Sequence, residues 1–159
     1  MKTVAVVEQN KVSIIDTPVP VPSIYQALVK TETACICNNT DGELVAGHFP
    51  GMEKAFPFAL GHESVGTVVE VGEKVRNFEI GSRALSGLVL DKELGVDGLA
   101  SGWGGFCEYV LVNDHEAMVV DEVADEQNGW VEVFEIQTPV PADIAPEDAV
   151  LFCTWREVL

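Results

Sequence analysis

Gly61-His62-Glu63-Ser64-Val65-Gly66-Thr67-Val68-Val69-Glu70-Val71-Gly72 is the stretch that decides the fold. Residues 64–71 are dominated by β-branched side chains and predict a strand, ended by the turn Gly72-Glu73-Lys74. Glycines at 61, 66, 72 and 81 recur at intervals suited to the bends and bulges of a small barrel. Upstream, residues 3–7 and 12–15 predict two strands joined through Glu8-Gln9-Asn10-Lys11. Pro18, Pro20 and Pro22 then forbid a helix, and residues 27–33 alternate apolar and polar as a half-buried strand does. Cys37 falls just beyond, where the strand gives way to the polar turn Asn38-Asn39-Thr40-Asp41-Gly42 and the start of a short helix.

Downstream, residues 81–90 and 106–112 predict further strands. Asn128-Gly129 predicts a hairpin joining residues 118–123 to 130–136, closed by Pro139 and Pro141. After Pro146, residues 147–152 predict the first turns of a helix, with acids near its N-terminus. Many short strands punctuated by glycine and proline argue for a mainly β barrel or sandwich.

The chain has 159 residues, enough for one domain at about 150 residues each. An apolar fraction of 47% with 22% charged residues excludes a disordered chain. Apolar runs such as Val4-Ala5-Val6-Val7 are far shorter than the ~18 residues a membrane span needs, and the same short run argues against a secretory signal. Nine Lys+Arg against 26 Asp+Glu give a net charge of −17, a surface that repels phosphate backbones and excludes nucleic-acid binding by counterion release. The densest acids, Asp114, Glu116, Asp121, Glu122, Asp125 and Glu126, read as a solvated face.

Cysteines stand at 35, 37, 107 and 153 with irregular spacing, which favours reduced thiols in a cytoplasmic protein. The absence of a Cys-x-x-Cys pair disfavours a structural zinc finger. Taken on spacing alone, His62 reads as a satisfied histidine and Cys153 as a core thiol, with metal ligation the alternative for both.

The block 61–72, followed by Val75, Phe78, Gly81 and Arg83, resembles the signature of zinc-dependent medium-chain alcohol and polyol dehydrogenases. Cys37-Asn38-Asn39-Thr40-Asp41, Thr17-Pro18-Val19-Pro20 and Gly104-Gly105-Phe106-Cys107-Glu108-Tyr109-Val110 fit the same pattern in the same order. The resemblance implies a GroES-like, partly open β-barrel over residues 1–159 with a few short helices. Residues 145–159 would lead toward a nucleotide-binding Rossmann domain that this chain lacks.

By the same resemblance, Cys37, His62 and Cys153 match zinc ligands, and Glu63 matches a carboxylate able to approach the metal. Thr40 matches the hydroxyl that relays the substrate proton, Asp41 a carboxylate orienting a ligand imidazole, and His48 a possible member of a proton path. Zinc would act as a Lewis acid on the oxygen of an alcohol or polyol, and NAD or NADP, held by the missing domain, would take the hydride. An isolated chain would then be inactive, with exposed interdomain surface prone to self-association.

Four departures stand out. The turn after Cys37 is one residue longer than the common spacing, Ser82 replaces an aspartate, and no four-cysteine lobe for a second zinc is present. Residues 119–141 are longer than the family needs and predict an extra acidic hairpin. Gly102-Trp103-Gly104-Gly105-Phe106-Cys107 lacks a third glycine and leads into a strand, so it is not a dinucleotide fingerprint. Phe49, Phe56, Trp103 and Phe106 read as core or interdomain surface. A metal-free GroES-like assembly module and a zinc-free quinone-reductase relative are the competing classes, and neither needs the cysteine–histidine set.

Overall fold

Strand β1 (Lys2–Glu8) runs antiparallel to β2 (Lys11–Asp16) through the turn expected at 8–11, where Asn10 adopts φ 60°. The computed structural model describes residues 1–50, 56–86 and 105–156, with side chains up to Cys153. Strand β3 (Gln26–Cys35) is followed by helix α1 (Thr40–Ala46), and β4 (Phe58–Ala59) pairs with the far edge of β1. Then come β5 (Glu63–Val71), β6 (Arg83–Leu85), β7 (Tyr109–Asn113), helix α2 (His115–Val120), β8 (Pro139–Val140) and helices α3 (Pro146–Ala149) and α4 (Leu151–Arg156). The strands form two antiparallel sheets, ordered β2-β1-β4 and β7-β3-β5-β6-β8. This is the mainly β architecture with few short helices expected from the pattern. Among the described residues no helix is long and apolar enough to cross a membrane.

The second sheet is built around β3 and β5. Ala27, Val29, Val68, Val110 and Val112 pack together with Phe78, each valine contributing about 1.5–3 kcal/mol for full burial. A second cluster, Val65, Leu85, Val140, Val150 and Cys153, seats α3 and α4 against β5 and β6. A third, Val6, Leu44, Phe58 and Leu60, holds α1 against the first sheet, with Phe49, Phe56 and Phe106 packed on it as the sequence reading expected. Gly66 lets β5 approach β3: a Cβ there would meet the Lys30 carbonyl oxygen at 2.1 Å.

Two expectations need correction. The hairpin around Asn128-Gly129 is absent. Residues 115–120 are helix α2, and 126–128 and 132–136 are short 3-10 turns. Asp114 decides the first of these by accepting the Ala117 N–H as an N-cap, which turns the chain inward so that Ala117 and Met118 pack with Tyr25.

The acidic patch is also only partly a solvated face. Glu116, Glu122, Asp125 and Glu126 are exposed, but Asp114 is buried and Asp121 accepts the Tyr25 hydroxyl and pairs with Arg76. The strand placed at 106–112 starts later, at Tyr109, and of the strand placed at 81–90 the described part is Arg83–Leu85. Trp103 and most of the Gly102–Gly105 string lie outside the described residues.

Candidate metal centre

The register of β3 against β5 creates the site. Cys35, the last residue of β3, lies opposite Glu63, the first of β5, after irregularities at Leu28/Val29 and Thr31/Thr33. Cys37, two residues past one strand, therefore meets His62, the residue before the other. One ligand atom from each of Cys37, His62 and Glu63 falls within 4.8 Å of the other two. His62 and Glu63 are buried, at 4% and 3% exposure, and Cys37 is half-buried.

Asp41 ties the two segments together. It sits in the first turn of α1 at 4% exposure, with one carboxylate oxygen 3.3 Å from His62 Nδ1. Its other oxygen accepts the Cys37 backbone N–H at 2.9 Å. The imidazole is thereby oriented through Nδ1, leaving Nε2 toward Glu63, whose Oε1 is 3.9 Å away. The family resemblance assigns Asp41 to the histidine alone. Its grip on Cys37 has a local signal, an acid four residues after the cysteine at a helix start.

Burial works against a charged Cys37. The Thr40 and Asn39 N–H groups, the Thr40 hydroxyl and the His62 imidazole nevertheless carry its pKa below the ordinary thiol value. Burial also works against a protonated His62, yet Asp41 and then Cys37 raise its pKa. A nucleophilic sulfur, an imidazole and a carboxylate that converge in this way suit a borderline cation such as zinc, which takes all three donor types. The Thr40 hydroxyl lies within hydrogen-bonding reach of the Cys37 sulfur.

Two predicted residues are not in this group. His48 is exposed in the segment after α1, where its N–H donates to the Glu43 carbonyl. Cys153, on α4, packs in the second cluster with its sulfur 3.9 Å from the Ser64 carbonyl oxygen, beside the peptide that carries Glu63. Sequence reasoning missed the support beneath that strand. Ser64 and Ser86 share a buried hydroxyl contact of 2.6 Å, and the Gln137 side-chain amide donates to the Ser86 carbonyl at 3.3 Å.

Residues 23–122 match the alcohol dehydrogenase GroES-like domain family. The chain belongs to that family. It is 33% identical over 124 residues to (R,R)-butanediol dehydrogenase of Bacillus subtilis, covering 65% of this chain and 36% of the relative. A zinc-type alcohol dehydrogenase-like protein of Schizosaccharomyces pombe is 36% identical over 112 residues, covering 69% of this chain and 23% of that protein. Among solved structures, the short chain alcohol dehydrogenase RspB of Escherichia coli CFT073, complexed with NADH, superposes with a TM-score of 0.65 at 25% identity. That match covers 95% of this chain and 41% of the other. This GroES-like chain thus spans less than half the length of these relatives.

Proposed function

We propose that this GroES-like chain is the zinc-holding, substrate-side domain of an NAD(P)-dependent alcohol or polyol dehydrogenase of the cytoplasm. The observation that carries it is the convergence of Cys37, His62 and Glu63 within 4.8 Å, braced by Asp41. Cys37 and His62 would hold the ion, Glu63 would approach it from the strand, and Cys153, adjacent to the Glu63–Ser64 segment, would be the further ligand. When bound, zinc supplies Lewis-acid polarisation of the substrate oxygen.

The remaining work falls to protein groups. Asp41 keeps His62 in the tautomer that presents Nε2, and Thr40 takes the substrate proton at Oγ1 and passes it outward. The burial of His62 and Glu63 excludes bulk water from the inner face of the site. The nicotinamide nucleotide is assigned to a Rossmann domain that docks beyond residues 145–159, so this chain alone is expected to show no turnover. Exposed apolar side chains such as Ile36 and Val21 support association with such a domain, or self-association without it.

Metal content measured by elemental analysis tests the proposal. About one zinc per chain, lost in Cys37→Ala and in His62→Ala, is expected. Metal-free protein after refolding with excess zinc would overturn it and favour a GroES-like assembly module.

A further inference from the structure

The ladder between β3 and β5 changes step twice. Val69 is skipped on β5, where Leu28 pairs with Glu70 and Val29 with Val68. Glu32 is skipped on β3, where Thr31 pairs with Gly66 and Thr33 with Val65. The bulge at Glu32 thus undoes the displacement introduced at Val69. Without it Ala34 would stand opposite Glu63 and Cys35 opposite His62, and the β3 side chains beyond Thr31 would turn to the other face of the sheet. Cys37 would then be carried away from His62.

The bulged residue is held through its side chain. One Glu32 carboxylate oxygen accepts the Thr67 hydroxyl, and the other accepts from the Arg83 guanidinium at 3.3 Å. Thr67 pairs with Lys30 on one side and Arg83 on the other, so Glu32 reaches across β5 to β6. Arg83 donates through its other terminal nitrogen to the Ile144 carbonyl at 2.9 Å, one residue before the N-cap of α3. A carboxylate offers two acceptor oxygens and a guanidinium several N–H groups in one plane, so each side chain serves two partners at once. On the opposite edge of β3, pairing with β7 ends at Lys30–Tyr109, and among the described residues the Thr31 N–H bond to the Glu108 carbonyl at 3.0 Å is the last backbone tie there.

We propose that Glu32, clamped by Thr67 and Arg83, fixes the strand register that brings Cys37 to His62, and that Arg83 extends the same clamp to the segment carrying Cys153. Both are positioning residues that act through the backbone, and their effect on metal binding rests on the metal-site reading above.

The test uses Glu32→Ala and Arg83→Met. Cross-strand proton contacts between residues 35 and 63, read by NMR on the metal-free chain, report the register. Glu32→Ala, at a side chain 28% exposed, is expected to add a second set of contacts, 34 to 63, and to bind zinc roughly fivefold more weakly in chelator competition. Arg83→Met is expected to lose about half of the thiolate-to-cobalt charge-transfer intensity at saturation, because Cys153 drops out and Cys37 stays. That intensity counts sulfur ligands, and a loss of stability does not move it in a chain whose circular dichroism is retained. Should Arg83→Met not fold, Arg83→Lys, which keeps the charge and reaches one partner only, is read for the same loss. A single 35–63 register in Glu32→Ala with zinc affinity within twofold of the unmodified chain would overturn the role of Glu32, and a band of full intensity in the Arg83 variant would overturn that of Arg83.

Cobalt loading of the unmodified chain keeps the two readings apart. With its band present and the register of Glu32→Ala single, the clamp fails and the metal reading stands. With no band in the unmodified chain the metal reading fails, while a mixed register in Glu32→Ala still supports the clamp as the device that sets the strand pairing.

Discussion

Replacing Asp41 by asparagine keeps the size of the side chain and removes its ability to serve two donors at once. The carboxylate accepts the Cys37 N–H at 2.9 Å and faces His62 Nδ1 at 3.3 Å. An amide has one acceptor oxygen, so whichever partner it serves, its NH₂ is turned on the other. One charge-assisted hydrogen bond is lost, about 1.5–3 kcal/mol in a buried setting. At about 1.4 kcal/mol per decade that is roughly 10- to 100-fold in zinc affinity, the range known for groups that orient a metal-bound histidine. Competition against a chromophoric chelator measures it directly. Asp41→Asn is expected to release zinc at 10- to 100-fold lower chelator strength while its circular dichroism spectrum is retained. An affinity within twofold of the unmodified chain would refute the idea that Asp41 braces both ligand segments.

Other expectations can be checked on the same protein. Asp114 accepts the N–H groups of Arg76, Asn77 and Ala117 and the Asn77 side-chain amide, so Asp114→Asn should cost about 2 kcal/mol in urea denaturation. Burial opposes its ionisation, but those donors together hold its pKa below the ordinary carboxylate value. Its contribution is therefore complete above the unfolded value of about 4 and is lost as pH falls through the folded value, and the variant should show a shallower acid transition in a pH series of melting curves. Iodoacetamide at neutral pH should label Cys37 before Cys35 and Cys107, whose thiols burial pushes upward, and zinc should protect it; peptide mass mapping reads the order. Gly66→Ala should destabilise by about 3 kcal/mol because its Cβ would strike the Lys30 carbonyl. Gly42→Ala, in α1 with nothing within 4 Å, should stabilise by about 0.8 kcal/mol, and paired denaturation curves compare the two signs.

The strands that build the site were legible because their signals are local. The period-two alternation before Cys37 and the β-branched run after His62 emerge as β3 and β5, with bounds displaced by a residue or two. Residues 115–120 were not legible. Val119, Val120 and Val123 favour a strand by composition, and the helix is imposed by the Asp114 cap and by the packing of Ala117 and Met118 on Tyr25, neither of which a hydrophobic period reveals. The convergence of Cys37 with His62 lies between these cases. It depends on a pairing register with two irregularities, a non-local quantity that spacing in the chain does not encode. Only the resemblance of the surrounding motifs connected the two residues beforehand, and it did not identify the cavity of about 710 Å³ that Cys37 borders, whose walls come from β1, β2, β3 and α1.

Electrostatics gives the site a reason to hold a cation that does not depend on family likeness. Asp41 and Glu63 are buried at 4% and 3% exposure next to a thiol whose pKa is lowered. Among the described residues the ion pairs of lysine and arginine go elsewhere: Lys2 to Asp16, Lys11 to Glu8, Lys74 and Arg76 to Asp121, and Arg83 to Glu32. The imidazole of His62 is the basic group set between the two carboxylates, and it offers at most one positive charge. Concentrating acidic groups in a low-dielectric pocket of a chain that already carries −17 is costly unless a further positive charge enters. A divalent ion would supply it at the point where sulfur, imidazole and carboxylate meet, and chelating such an ion should loosen the junction of β3, α1 and β5 first. Amide exchange in the metal-free chain should accordingly accelerate at residues 37–44 and 62–64 while the Val29–Val68–Val110 core stays protected. Uniform acceleration across both regions would show that the charge cluster is supported by the fold alone.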